Sequence, residues 1–149
     1  RPSTRIHEAY FLEYAEAIKR VAHMPLMVTG GFRSRAGMEA ALRSGVCEVI
    51  GFARPLCTHT HAVRDLLQGS IDVLPAFEDS LHLRAHGLLS PASPVLLFKM
   101  LNVLGAQGWY YQQMVFLAQG RKINLKRGML RSFLRYLWDE TTRTLRMRR

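Results

Sequence analysis

Residues 25–55, PLMVTGGFRSRAGMEAALRSGVCEVIGFARP, constrain the fold of this chain more than any other segment. The first apolar run, residues 26–29, lies between a proline and a Gly-Gly pair, which predicts a short strand buried on both faces. Ser34 stands where a helix N-cap is expected, and Gly45 follows the last apolar residue of a helical pattern. A second apolar run, residues 46–52, completes a βαβ unit of about thirty residues. The two strands are therefore expected to be parallel neighbours.

Two turns leave the carboxyl ends of these strands, which is where α/β sheets place their ligands. Gly30 and Gly31 can adopt positive φ and lack a Cβ, so their N–H groups can approach a ligand closely. The helix that begins at Ser34 carries partial positive charge and N–H groups at its N-terminus, and Arg54 adds a guanidinium after the second strand. Singly, a Gly-Gly pair is usually an ordinary turn and such an arginine usually faces solvent. On adjacent parallel strands they predict a phosphate site divided between two strand ends.

Residues 7–56, HEAYFLEYAEAIKRVAHMPLMVTGGFRSRAGMEAALRSGVCEVIGFARPL, resemble the last quarter of the barrel in the NADH:flavin oxidoreductase family, the old yellow enzyme group. The match is continuous and includes the spacing between the two turns. The resemblance implies an α/β fold, the C-terminal portion of a (β/α)8 TIM barrel, with strand seven at 25–29 and strand eight at 46–52. Residues 1–69 would be the barrel part, and residues 70–149 would be an α-helical C-terminal extension with a basic tail.

In this family the FMN phosphate lies between strands seven and eight, and the resemblance implies which residues would hold it. These cofactor-binding residues are Gly30, Gly31, Phe32, Arg33, Ala53 and Arg54. Ala53 stands where the family usually has glycine, and its methyl group is expected to be tolerated if φ stays negative. Arg33 is expected to add charge near the phosphate, to pair with Glu39 or to face solvent.

The resemblance implies an FMN-dependent NAD(P)H oxidoreductase of the ene-reductase type, which passes hydride from NAD(P)H through FMN to a small-molecule electron acceptor. A complete (β/α)8 barrel needs about 200 to 250 residues, so this chain of 149 residues is expected to be a C-terminal fragment. The isoalloxazine contacts and the proton donor would lie in strands one to six, and no catalytic residue is expected here. Another phosphate-binding (β/α)8 enzyme is an alternative with the same fold.

Amphipathic patterns predict helices on both sides of the βαβ unit. Residues 8–21 and 58–68 would be the helices that flank strands seven and eight. Further apolar helical patterns occupy residues 95–104, 109–117 and 130–138. Two parallel strands without further neighbours leave unpaired edges, so self-association through these edges is a further expectation.

The positive charge is concentrated near the C-terminal end. The whole chain has a formal net charge of +10, and residues 121–149 hold ten Lys or Arg against two acidic residues. This excess leaves a second function open, namely a catalytically inactive remnant that acts as a basic interaction module for nucleic acid or anionic surfaces. Because no RNA- or DNA-binding motif is present, a solvated helix face is the commoner explanation, and nucleic acid is not expected as a partner.

The remaining features predict a cytoplasmic protein without a metal. No secretory signal pattern is visible, and the most apolar region, residues 88–106, is interrupted by proline, lysine and asparagine, so no membrane span is expected. Cys47 and Cys57 would lie at opposite ends of strand eight, too far apart for a disulfide, and are expected to be free thiols. His59 and His61 diverge on a helix, and without a third ligand nearby they predict no metal site.

Overall fold

The computed structural model describes residues 12–147, in two compact units divided between Ala76 and Phe77. The first unit contains α1 (12–19 within the described residues), β1 (Met27–Thr29), α2 (Arg35–Arg43), β2 (Val49–Gly51) and α3 (Ala62–Leu67). The second unit contains α4 (Leu96–Ala118) and α5 (Met129–Met147). Short 3-10 helices are formed by Arg54–Cys57 and Phe77–Asp79. The division into a barrel part, 1–69, and an extension, 70–149, stays a prediction.

β1 and β2 form a two-stranded parallel sheet, and α2 is the crossover between them. The Cα partners are Met27 and Val49, Val28 and Ile50, and Thr29 and Gly51. The predicted pair of parallel neighbouring strands is thereby confirmed, and the chain has a mixed α/β structure. The eight-stranded barrel and the association of strand edges stay predictions.

β2 is shorter than predicted because β1 limits the ladder. Pro25 has no N–H to donate, and Gly30, at φ 117°, leaves the extended conformation. The N–H groups of Glu48 and Val49 both donate to the Leu26 carbonyl, at 3.0 and 3.2 Å, and the ladder begins there.

The prediction that the first strand is buried on both faces is wrong for this unit. Val28 is buried, whereas Met27 and its cross-strand partner Val49 are 66% and 49% exposed. Successive side chains of a strand point to opposite faces, so the core covers one face of the sheet and the other is open within the described residues. An apolar run does not reveal this difference, because Met and Val are apolar on either face.

The core of the first unit gathers side chains from the three helices, from β1 and from the connecting turns. Its buried members are Ala15, Val28, Phe32, Met38, Ala41, Val46, Cys47, Ala62, Leu66 and Leu74. α2 begins and ends as predicted: Ser34 Oγ accepts a hydrogen bond from the Gly37 N–H at 3.2 Å, and Gly45 adopts φ 72° after the last turn.

The two flanking helices are shorter than predicted. The start of the predicted helix 8–21 lies outside the described residues, and its described part ends at residue 19. The first residues of the predicted helix 58–68 form a turn instead. The N–H groups of Thr58 and His59 both donate to the Pro55 carbonyl, at 3.1 and 2.8 Å. α3 therefore begins only after this turn.

α5 runs alongside α4 in the same direction. Gly105 lies against Met129 and Gly108 against Phe133, since a Cβ on these glycines would come within 3.0 Å of Met129 Cε and 3.2 Å of Phe133 Cα. Further along both helices, Gln112 Nε2 donates to Asp139 Oδ2 at 3.2 Å. The predicted helices 95–104 and 109–117 are one continuous helix, and its two glycines allow α5 to approach closely instead of ending the helix.

This parallel arrangement requires the connecting residues 119–128 to run back beside α4. From Ala118 to the level of Gly105 the return is about 20 Å along the helix axis, and ten residues can span up to about 33 Å. The fully buried Gln113 holds the returning segment with both ends of its amide: Nε2 donates to the Asn124 carbonyl at 3.1 Å, and Oε1 accepts from the Asn124 N–H at 2.8 Å. Trp109 Nε1 donates to the Arg127 carbonyl at 2.8 Å.

No helix in the described part of the chain has the length and apolar character that a membrane crossing needs.

Replacing Gln113 with Ala is expected to lower the free energy of unfolding by about 2 to 3 kcal/mol, because two hydrogen bonds and a buried side chain are lost together. Urea denaturation followed by circular dichroism measures this change. Gln107 is the matched control, since it lies exposed on the same helix, and Gln107→Ala should stay within about 0.5 kcal/mol of the unaltered chain. Equal losses in the two variants would contradict the role of Gln113.

Candidate functional site

The parallel ladder ends with Thr29 opposite Gly51, so the turns that follow the two strands leave the same edge of the sheet. Residue 51 lies against the Thr29 side chain at this point. A Cβ on Gly51 would lie 2.2 Å from Thr29 Oγ1 and 3.2 Å from Thr29 Cβ. Glycine at residue 51 therefore leaves room for the Thr29 side chain between the two strand ends.

The first turn has the backbone conformation that the Gly-Gly pair predicts. Gly30 and Gly31 adopt φ values of 117° and 74°, which other residues rarely adopt. Phe32 follows, and its side chain is fully buried in the core, where its packing holds the turn in place. Within the described residues, the N–H groups of Gly31 and Phe32 donate to no backbone carbonyl outside the helices and strands. A bound anion could accept hydrogen bonds from them.

A short segment after α3 holds this turn in place. The Asp72 carbonyl accepts from the Arg35 N–H at 2.8 Å, the Leu74 N–H donates to the Arg33 carbonyl at 2.7 Å, and Val73 forms an isolated antiparallel bridge with Ser34. Sequence reasoning missed this contact. The signal is the strand-like stretch Ile71-Asp72-Val73-Leu74, which lies between Gly69-Ser70 and Pro75.

The N-terminus of α2 offers fewer free N–H groups than predicted. The Arg35 N–H is bound by the Asp72 carbonyl, and the Gly37 N–H is bound by Ser34 Oγ. The N-cap Ser34 binds one first-turn donor, and the segment after α3 binds another. Two first-turn donors therefore already have partners. The prediction that this terminus presents free donors to a phosphate is wrong for these two groups.

The second turn accommodates alanine where the related family usually has glycine. Ala53 has φ −119° and ψ −56°, so its methyl group creates no left-handed strain, as predicted for a negative φ. The turn continues into the 3-10 helix Arg54–Cys57, in which Pro55 is fully buried and Arg54 is exposed. The buried Pro55 holds the turn against the rest of the unit, and Arg54 lies exposed at the surface beside it.

Arg33 does not pair with Glu39. Its NH1 donates to the Phe32 carbonyl at 2.8 Å, and the side chain is half-buried beside the first turn. Glu39 is bound instead by Arg35 Nε at 2.8 Å and by Arg43 NH1 at 3.3 Å. The hydrogen bond from Arg35, helped by Arg43, holds the pKa of Glu39 below its ordinary value.

Near the second turn, His59 forms a hydrogen bond with Asp65, and the two cysteines are free thiols. His59 Nε2 lies 2.7 Å from Asp65 Oδ2, and this contact, followed by that of Arg64, lowers the pKa of Asp65. Cys47 and Cys57 are free, and burial raises the pKa of both thiols. Across residues 12–147, no group of three or more His, Cys, Asp or Glu side chains could hold a metal ion.

Comparison with curated proteins gives four matches, all named NADH-dependent flavin oxidoreductases. The chain is 37% identical over 116 residues to iccE of Talaromyces variabilis, a match that covers 75% of this chain and 27% of that protein. It is 48% identical over 50 residues to iliE of Neonectria sp. (strain DH2), covering 33% and 6% of the two chains. It is 41% identical over 66 residues to nadA of Aspergillus parasiticus, covering 44% and 14%.

The resemblance to the NADH:flavin oxidoreductase family is confirmed. The chain spans about a quarter of the length of the first of these relatives and a smaller share of the other two. No protein-family model and no solved structure matches the chain. The resemblance therefore rests on the similarity to these relatives themselves, whose names associate them with flavin and NADH.

Adding a Cβ at residue 51 tests the close approach of the strand ends. Gly51→Ala is expected to destabilise the chain by about 1 to 3 kcal/mol, because the methyl group collides with the Thr29 side chain. Thr29→Ala removes the nearest colliding atom, so the double variant should recover part of the loss that Gly51→Ala causes alone. Thermal and urea unfolding of the single and double variants complete the cycle. Strictly additive effects would mean that the two residues do not meet.

Proposed function

We propose that this chain holds the phosphate of FMN in an FMN-dependent NAD(P)H oxidoreductase of the ene-reductase type, with β1 and β2 as strands seven and eight of a (β/α)8 barrel. The observation that carries the proposal is the pairing of Thr29 with Gly51, which brings two turns suited to an anion to one edge of a parallel sheet. The names of the relatives support flavin as the cofactor and NADH as the reductant.

The residues of both turns fit a phosphate. The positive φ values of Gly30 and Gly31 curve the first turn so that successive N–H groups can point to one ligand. Gly31 and Phe32 would donate from this turn, and Arg33 would supply charge beside it. The Ala53 N–H and the Arg54 guanidinium would donate from the second turn. A fixed backbone cradle and an exposed arginine suit the doubly charged, tetrahedral end of FMN better than a planar ring.

FMN, when bound, supplies hydride transfer between NAD(P)H and an electron-poor acceptor such as an activated alkene. The residues of this chain bind the phosphate and so orient the cofactor. Backbone N–H groups and guanidinium groups carry no proton that the reaction consumes, and we assign no catalytic residue to this chain. The contacts to the isoalloxazine and to the acceptor would come from strands one to six.

Comparison of FMN with riboflavin isolates the phosphate. Arg54→Ala is expected to weaken FMN binding by about 10- to 100-fold, because a charge-assisted hydrogen bond contributes about 1.5 to 3 kcal/mol. Riboflavin lacks the phosphate, so its affinity should change little. Quenching of flavin fluorescence during titration with the protein measures both dissociation constants.

Arg43 provides the control for a general loss of positive charge, since its side chain is 71% exposed at the far end of α2. Arg43→Ala should leave FMN affinity within about threefold of the unaltered protein. If Arg54→Ala weakened FMN and riboflavin equally, or weakened neither, the assignment of Arg54 to the phosphate would be wrong.

A further inference from the structure

α5 has two apolar faces, and α4 covers one of them. Met129, Ser132 and Phe133 are buried, and the glycines of α4 lie against this face. A second group of apolar residues lies on the opposite side of the helix and is exposed: Leu130, Leu134, Leu137, Trp138 and Leu145. We call this group the α5 stripe.

The α5 stripe follows helical spacing, so its members share one side of the helix. Relative to Leu130, the others stand at i+4, i+7, i+8 and i+15, all within a sector of about 100°. Trp138 is 64% exposed and Leu145 is 65% exposed, although removing such large apolar side chains from water is favourable in free energy. Leu130, Leu134, Leu137 and Trp138 lie on successive turns of this side, and an exposed apolar helix face of this kind usually marks an interaction site.

Positively charged residues lie on α5 and immediately before it. Arg131 lies on the same side of α5 as Trp138, two helical turns before it. Lys122 and Lys126 precede the helix, and both are exposed. Burial lowers the pKa of Arg127, and the nearby charges of Arg131 and Arg135 lower it further, so several cations are crowded together here.

The acidic side chains of α5 do not provide a complementary charge for another copy of the same surface. Asp139 is bound by Arg135 at 3.0 Å and by Gln112, and Glu140 pairs with Arg143 at 3.6 Å. Two copies joined stripe to stripe would bring their basic flanks together without a free acid between them. Repulsion of this kind disfavours a second copy and favours an anionic partner.

An anionic lipid surface matches both properties of the stripe. Leu and Trp side chains enter the boundary between headgroups and acyl chains, and Arg and Lys side chains meet lipid phosphates. We propose that α5 lies in the plane of an anionic membrane surface, with the α5 stripe inserted and Arg131 and Lys126 at the headgroups. This inference is independent of the flavin site, and a helix lying on a membrane does not need to cross it.

Vesicles of phosphatidylcholine with and without phosphatidylserine test the proposal. The full 149-residue chain is expected to sediment with the anionic vesicles, to bind them less at high salt, and to bind neutral vesicles much more weakly. Trp138 reports insertion directly, because the second tryptophan, Trp109, is only 1% exposed. Its emission should shift to shorter wavelength on binding, and Trp138→Phe should abolish the shift while binding persists.

Two sets of variants separate the apolar and basic contributions. Leu134→Gln should lower the vesicle partition coefficient by roughly 30-fold or more, since an inserted leucine is lost. Arg131→Gln with Lys126→Gln should lower it by roughly 20- to 30-fold, as two charges leave the surface. The matched control, Arg20→Gln with Arg43→Gln, removes two exposed charges from the first unit and should leave binding unchanged. Circular dichroism confirms that each variant is folded.

Three results would overturn the proposal. The first is vesicle binding that Leu134→Gln leaves unchanged, because the attraction would then be charge alone, as expected for a polyanion such as RNA. The second is equal binding to neutral and anionic vesicles. The third is a dimer in the absence of lipid that Leu134→Gln dissociates, because a second copy would then cover the stripe.

Discussion

The first unit depends on the parallel pairing of two strands that ends with Thr29 opposite Gly51. A Cβ at residue 51 would lie 2.2 Å from Thr29 Oγ1, so glycine there leaves room for the threonine side chain in this register. The two turns then leave one edge of the sheet. Each turn carries one fully buried side chain, Phe32 in the first turn and Pro55 in the second, which holds it against the rest of the unit.

The second unit depends on a different constraint, the return of the chain beside α4. Helices that run in the same direction need a connection as long as their overlap, and such a connection needs partners for its own backbone groups. Gln113 and Trp109 supply these partners from the buried face of α4. The same arrangement directs one face of α5 toward α4 and leaves its more apolar face exposed.

Local features of the fold and the parallel pairing of β1 with β2 could be predicted from the sequence, whereas other contacts between distant segments could not. Ser34 and Gly45 mark the ends of α2 because a cap needs only its own side chain or φ. The contact of residues 72–74 with the first turn, by contrast, uses backbone groups, which carry no signature of their partner. The same reason explains why the Arg35 N–H at the start of α2 was predicted to be free and is bound by the Asp72 carbonyl.

The candidate site shows the same division. Positive φ at Gly30 and Gly31 is a conformation that glycine readily adopts, as predicted, and Ala53 has a negative φ that accommodates its methyl group. The partners of Glu39 are Arg35 and Arg43, at i−4 and i+4 on the same helix face, whereas Arg33 precedes the helix. Burial of the strands could not be read from an apolar run, since the pattern is the same whether one face is covered or two.

The central claim is that the two turns bind one phosphate together. Titration of the 15N-labelled protein with FMN, followed by amide chemical shifts, tests it most directly. The account predicts that the amides of Gly31, Phe32, Ala53 and Arg54 shift along a single isotherm with one dissociation constant, while those of Gly45 and Gly120 stay in place. Shifts confined to one turn, or different dissociation constants for the two turns, would contradict it.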